Sequence, residues 1–414
     1  MAFGLFVVPG AAFAQERGSK LEAEKEVPPA LAPVGARIGV FRAFVGGDLS
    51  ATYDDNVYAQ DLGKVDDTYF KISPKVRLTS ETSRYTFNLG AGLDRYEYSD
   101  LDGENRTDWN VQSDVVAELL RDTSVTLNVG YRHATEERGA PDSLVAARSP
   151  VRYDSFTAGG GLSREVGRLQ LRTIVDYEKL NYDDGRLGNG RAVNNDDRDR
   201  QYVSAGGEVS YEFSPGYRAF TRLLFDRTAY QDPRGDDGFN RDGKGYRFTG
   251  GLKFEVTNVI DGNIFAGYMR RNYKDPRFAN YGGAAFGASL RWQPSRLTSI
   301  FIDANRGIQE TTQVGYRGYI STSFGARIEH NFTRSIQVKG GLRFDKSKYL
   351  VIAGIRPLPI ARDDDLFIAN LGVNYMFSRQ ISVGAAWDYS KRSSNSPGAD
   401  YTRNKASVSV KLTF

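Results

Sequence analysis

Along most of the chain, apolar and polar residues alternate one by one. The last ten residues, KASVSVKLTF, show it plainly. Phe414, Leu412, Val410, Val408 and Ala406 fall on one side of an extended strand, and Thr413, Lys411, Ser409, Ser407 and Lys405 on the other. Successive strand side chains point to opposite faces, so one face is apolar and the other polar or cationic. A half-buried strand of a soluble sandwich gives this pattern. A transmembrane barrel strand, with lipid outside and water within, gives it too. The alternation recurs in YTFNLGAGL (85–93), SVTLNVGYR (124–132), LQLRTIVDY (169–177), YRFTGGLKFEV (246–256), SIQVKGGLRF (335–344) and ISVGAAWDY (381–389). No stretch holds a helical period between caps.

The pattern predicts about 18 strands, an even number as in bacterial single-chain barrels. They lie near 47–58, 68–79, 84–98, 107–120, 124–136, 151–165, 168–183, 199–213 and 216–230. The second half continues with 242–256, 261–274, 282–293, 297–309, 316–331, 334–349, 362–377, 379–392 and 400–414. The connections alternate in length. Short ones read SETSR, RDTS, EVGR, FSPG, VTNVIDG, QPSR, NFTR and MFSR; long ones include 136–151, 183–199, 230–242 and 349–362. Short turns on one rim and long loops on the other distinguish a transmembrane barrel from a sandwich. The expected fold is therefore all-β, an up-and-down antiparallel transmembrane barrel. Its last strand closes on its first, because a sheet edge in lipid would leave backbone groups unpaired.

Composition narrows the chemistry. The chain of 414 residues has no cysteine and two histidines, His133 and His330, which excludes thiolate metal sites and leaves little for a histidine-based active site. No nucleophile, base and orienter can be matched, so no enzyme, cofactor or metal is expected. The net charge of +4 gives no ground for nucleic-acid binding. Loop segments such as DPRGDDGFNRDG have calcium-like aspartate spacing but lack the final glutamate. At the start, MAFGLFVVPGAAFAQ reads as the apolar core of a signal peptide with an Ala12-Phe13-Ala14 cleavage site and no basic n-region. The expected organisation is a signal segment 1–14, a periplasmic leader 15–46 and a barrel 47–414, both termini being periplasmic.

Taking each apolar face as outward assigns the lumen. Lys71, Ser73, Lys75 and Arg77 on the second strand and Lys405, Ser407, Ser409 and Lys411 on the last flank strand one, a basic wall at the closing seam. Arg327, Lys339 and Arg343 add cations on strands fourteen and fifteen. Carboxylates gather elsewhere: Asp114 and Glu118, Asp176 and Glu178, Glu208 and Glu212. Such walls either set a field across a wet pore or pair with opposite charges on neighbouring strands. Inward glycines recur at mid-strand, among them Gly90, Gly130, Gly159, Gly325, Gly341 and Gly384. They suit an in-folded loop or leader that gates the lumen, or simply sheet curvature. Trp109, Trp292, Trp387, Tyr389 and Phe414 are outward anchors for the membrane interfaces. Pro74 inside strand two predicts a bulge.

Several segments together carry a resemblance: YDDNVYA (53–59), LRDTSVTLNVGYR (120–132), YEFSPGYRAF (211–220), YKDPRF (273–278), FGASLRW (286–292), GYISTSFGARIEHNF (318–332) and ADYTRNKASVSVKLTF (399–414). In order, they resemble a beta-barrel porin family of proteobacterial outer-membrane proteins, often associated with exopolysaccharide export operons. The terminal Phe414 on an alternating strand resembles the signal read by the barrel assembly machinery. The resemblance implies an outer-membrane channel among lipid and lipopolysaccharide. It implies exopolysaccharide as cargo, passed on by a periplasmic export protein. A diffusion porin for small solutes and a structural barrel without transport are the alternatives.

Overall fold

The computed structural model describes residues 33–82, 84–143, 147–256, 259–353 and 361–414; the expected signal segment 1–14 and most of the expected leader 15–46 lie outside them. Eighteen long strands form one barrel. The first six are β1 (Phe41–Asp54), β2 (Asp67–Glu81), β3 (Tyr85–Tyr98), β4 (Arg106–Leu120), β5 (Thr123–Thr135) and β6 (Arg152–Val166). Then come β7 (Leu169–Tyr182), β8 (Arg200–Ser214), β9 (Tyr217–Tyr230), β10 (Gly243–Val256), β11 (Ile260–Tyr273) and β12 (Tyr281–Ser295). The last are β13 (Thr298–Gln309), β14 (Tyr316–Asn331), β15 (Ile336–Val351), β16 (Asp363–Met376), β17 (Ile381–Ser394) and β18 (Tyr401–Thr413).

Each strand pairs antiparallel with the next, and β18 closes on β1 from Gly46↔Thr413 to Asp54↔Lys405. No barrel strand keeps an open edge, as a lipid environment requires. All eighteen elements fall where the alternation puts them, with one shift. The first strand begins at Phe41, not near 47, and a short strand Ala36–Ile38 folds back on it. Residues 41–46 thus belong to the wall rather than to the leader. Pro74 makes no bulge. Ile72 faces Arg95 and Lys75 faces Gly92, so the register with β3 runs unbroken past it. Only the pairings of residues 73 and 74 are missing, since proline brings no N–H to the ladder.

The described residues of connections 82–84, 121–122, 167–168, 215–216, 257–259, 296–297, 332–335 and 377–380 crowd one rim. Two of them turn on glycines of positive φ, Gly167 (61°) and Gly216 (76°), a conformation that tight hairpins use. The described residues of the longer loops 55–66, 99–105, 136–151, 183–199, 231–242, 274–280, 310–315, 352–362 and 395–400 crowd the other. Both ends of the described chain lie on the short-turn rim. There Phe414 and Val45 exchange backbone hydrogen bonds of 2.7 and 3.2 Å.

The pleat sorts the side chains. Val45, Leu49, Phe70, Ile72, Val76, Leu127, Phe225, Phe248 and Leu342 stand exposed on the outer face. Buried polar residues fill the inside, including Asp54, Glu104, Glu208, Arg271 and Arg403. This inverts the arrangement of a soluble protein and fits a wall with lipid outside.

Candidate functional site

The lumen has two unlike parts. Toward the long loops, inward tyrosines and arginines pack together. Arg106 stacks on Tyr96 and Arg198 on Tyr182, each at 4.0 Å, and Arg362 lies over Tyr349 at 4.5 Å. Carboxylates neutralise these cations: Arg138–Glu104 and Arg198–Glu136 at 2.6 Å, and Arg271 with Asp226 and Glu310 at 2.9 Å. At the seam, Arg403 grips the fully buried Asp54 with both ends of its fork. These tyrosines were legible by parity: Tyr69, Tyr153, Tyr182, Tyr319, Tyr349 and Tyr401 share faces with assigned lumen positions. Aromatic residues are expected from the sequence only on the outer face, as interface anchors.

Toward the short turns the lumen is open. A cavity of about 1220 Å³ reaches from the turn at Gly216 up to residues 136–141. Those residues begin the loop after β5, which folds inward and lies against the far wall. Tyr349 Oη donates to the Pro141 carbonyl at 3.0 Å, Gln313 Nε2 donates to it at 2.8 Å, and Thr311 Oγ1 donates to Asp142 at 2.7 Å. Arg392 on β17 donates to the Gly139 carbonyl. An in-folded loop is therefore present: residues 136–143 of the connection 136–151. Its seat is not the glycine belt. The atoms nearest those glycines belong to neighbouring strands. A Cβ on Gly159 would lie 2.6 Å from Asn128 Oδ1, and one on Gly341 2.6 Å from Asn370 Oδ1. The glycines make room for polar side chains of adjacent strands.

Residues 136–141 of the loop line the cavity, and Glu137 is the acid among them that lies nearest Arg106 of β4. Arg106 Nη2 lies 3.6 Å from its carboxylate. Burial alone would raise this carboxyl, but Lys405, Arg106, Arg403 and Lys71 outweigh it and bring it down to about 2. Asp142, further along, goes the other way: burial pushes its carboxyl up against the pull of Arg198 and the Thr311 hydrogen bond.

The sequence-assigned walls are mostly paired. Lys71 and Lys405 line the cavity near Glu137. Lys71 also meets Asp94 at 3.1 Å, and Lys405 meets Asp54 at 3.9 Å. Lys75 pairs with Asp48 at 2.7 Å, Lys339 with Glu329 at 3.6 Å and Arg343 with Asp345 at 2.8 Å. Arg327 lies 3.4 Å from Glu329 and 4.2 Å over Phe301; Arg77 stacks on Phe44 at 4.4 Å. Lys411 shares the inward face of β18 with Lys405. Glu208 holds Arg222 and Lys253, and Glu212 holds Arg218. Asp176 accepts from Ser204 at 3.2 Å, and Glu178 sits beside Arg200 and Tyr202 in a small upper pocket. Asp114 lies inward on β4, with Glu118 exposed below it near the short turns. Opposite charges thus interleave from strand to strand.

On the outer face, Trp109, Trp292, Trp387 and Phe414 are all exposed. Trp109 stacks on Tyr131 at 5.2 Å near the long loops, and Trp292 and Phe414 lie near the short turns. Trp387 stacks on Tyr389 at 6.0 Å in the middle of β17, away from either strand end. His133 finds a partner in Asp154 at 2.8 Å, on the outer face beside Trp109. His330 takes a hydrogen bond with Thr298 at 2.9 Å. In the calcium-like segment, Asp237 is engaged by Arg241 at 2.6 Å.

A closed barrel of eighteen antiparallel strands, apolar outside and charged within, is an outer-membrane channel. The chain belongs to the family described as Putative beta-barrel porin 2, whose model matches residues 28–414. Among solved structures it is similar to OccK3 (OpdO) of Pseudomonas aeruginosa, with 13% identity, 90% of this chain and 96% of that chain covered, and a TM-score of 0.43. It is also similar to the copper transporter OprC, with 11% identity, coverages of 92% and 81%, and a TM-score of 0.49. A third is the siderophore receptor PirA of Pseudomonas aeruginosa, with 8% identity, coverages of 89% and 80%, and a TM-score of 0.44. No curated protein matches the chain.

Proposed function

We propose that the protein is a diffusion channel for small polar solutes, with anions favoured, and that loop 136–151 forms its constriction. In this reading the long loops face the outside of the cell and both termini face the periplasm. One observation carries it: the loop bars the upper end of a cavity open at the short-turn rim, and sets Glu137 among Arg106, Arg403, Lys405 and Lys71. A solute anion reaching that place meets the same cations, so the wall attracts what Glu137 imitates. Single-channel conductance and liposome swelling test it. Deletion of 138–143 should raise conductance about twofold or more, since the narrowest section governs flow. Unchanged conductance in a folded variant would remove the loop from the pathway.

Exopolysaccharide, delivered by a periplasmic export protein, is the second cargo. The tyrosine faces of Tyr69, Tyr153 and Tyr401 along the cavity favour it, because such rings offer an apolar face to a sugar ring. A polymer needs the loop displaced. Periplasmic build-up and loss of surface polysaccharide in a deletion strain would establish that cargo; unchanged polysaccharide would leave the small-solute channel.

A further inference from the structure

The outer face carries an unpaired group of cations that transport does not use. Arg227 on β9 and Lys244 on β10 are direct cross-strand partners, and Lys244 faces Asn272 on β11. Arg270, two residues from Asn272, donates to it at 3.0 Å. All three cations are exposed, and their alternation with Phe225, Phe248 and Tyr268 puts them on the lipid-facing side at its long-loop end. None has a carboxylate within ion-pair distance among the described residues. Several other outward cations on the same rim do: Lys346–Asp365 at 3.1 Å, Lys348–Asp363 at 4.0 Å and Arg95–Glu97 at 2.6 Å; what sets this group apart is that Arg227 and Lys244 stand directly opposite each other.

Like charges directly opposite each other weaken a strand pair. Arg227 and Lys244 keep that arrangement on a face where a carboxylate could have relieved it. An external anion would turn the repulsion into charge-assisted hydrogen bonds. The position restricts what brings that anion. Immediately below lie exposed Phe225, Phe248 and Tyr268, an apolar floor; above lie polar loops. The occupant must present an anion at headgroup height and hydrocarbon beneath it.

We propose that Arg227, Lys244 and Arg270 form a binding site for the phosphorylated headgroup of a glycolipid in the leaflet around the long-loop rim. This rests on the orientation given above. The test uses the full-length barrel, delipidated in detergent and titrated with bis-phosphorylated lipid A, with dephosphorylated lipid A, and with inorganic phosphate. Native mass spectrometry reads the bound lipid. The variants are the triple Arg227→Gln/Lys244→Gln/Arg270→Gln and the charge-preserving Arg227→Lys/Arg270→Lys. Heat-dependent gel mobility checks that each is folded. Wild type should bind phosphorylated lipid A about tenfold more tightly than the triple variant. The lysine variant should keep most of that binding, and the dephosphorylated lipid should lose it.

Equal binding by the folded triple variant overturns the site. So does equal binding of the dephosphorylated lipid to wild type, a comparison that needs no variant. Inorganic phosphate binding as tightly as the lipid would reduce it to a simple anion site. Orientation is read separately: the chain has no cysteine, so Gly190→Cys gives one thiol on a long loop. Its labelling in intact cells fixes the side, and a wrong side shows there rather than in the binding curve.

Discussion

Glu137 is held by charge more than by packing, and that makes it sensitive to acid. Its carboxyl is held below the ordinary range by the four cations around it, so the ionised form stabilises the in-folded loop. The contribution is complete above the ordinary carboxyl pKa and is lost as pH falls toward about 2. Conductance should therefore be flat near neutral pH and rise in acid. Glu137→Gln should remove most of that acid step and raise conductance at neutral pH. A variant with the wild-type acid step would take Glu137 out of the latch. None of this was legible in the sequence. HATEERGAPDSLVAARSP reads as a polar loop, and nothing in its spacing says that Glu137, rather than its neighbour Glu136, is the acid left to Arg106, Arg403, Lys405 and Lys71. The choice is made by Arg198, which takes Glu136 at 2.6 Å. That arginine is sixty-two positions away along the chain.

At the scale of strands, the sequence was informative because lipid and water impose opposite demands on alternate residues. A shift of one residue would turn a whole strand inside out. That constraint made the eighteen elements readable. It fails where one face stops being lipid-facing. RIGVFRAFVG, at 37–46, lacks clean alternation, so the pattern places the start of the first strand near 47 rather than at Phe41. Which charges meet was not readable either, since ion pairs such as Arg403–Asp54 join opposite ends of the sequence. That pair sits at the closing seam, with Asp54 fully buried. Asp54→Ala leaves the Arg403 guanidinium buried without its partner and should cost about 3–5 kcal/mol. The measurement is the temperature at which the barrel loses its folded gel mobility. Replacing Asp48, which is more exposed and meets Lys75 nearer the short turns, should lower it far less.

Across the whole molecule, the packed upper lumen and the open lower cavity make the two ends electrically unequal. An open polar cavity conducts better than a packed section, so an applied voltage should fall mainly across the short stretch where the loop lies. A charge moved across the full potential exchanges about 2.3 kcal/mol per 100 mV. Glu137 and the loop that carries it occupy the steepest part of that drop. One polarity should press the negatively charged loop further into its cationic seat, and the other should draw it out. A single barrel in a planar bilayer should then pass more current at one sign of voltage than at the other. Insertion from the opposite side should reverse the favoured sign, and deletion of 138–143 should leave a straight current–voltage line. The channel would act as a diode whose moving part is a loop and whose direction is set when the barrel enters the membrane.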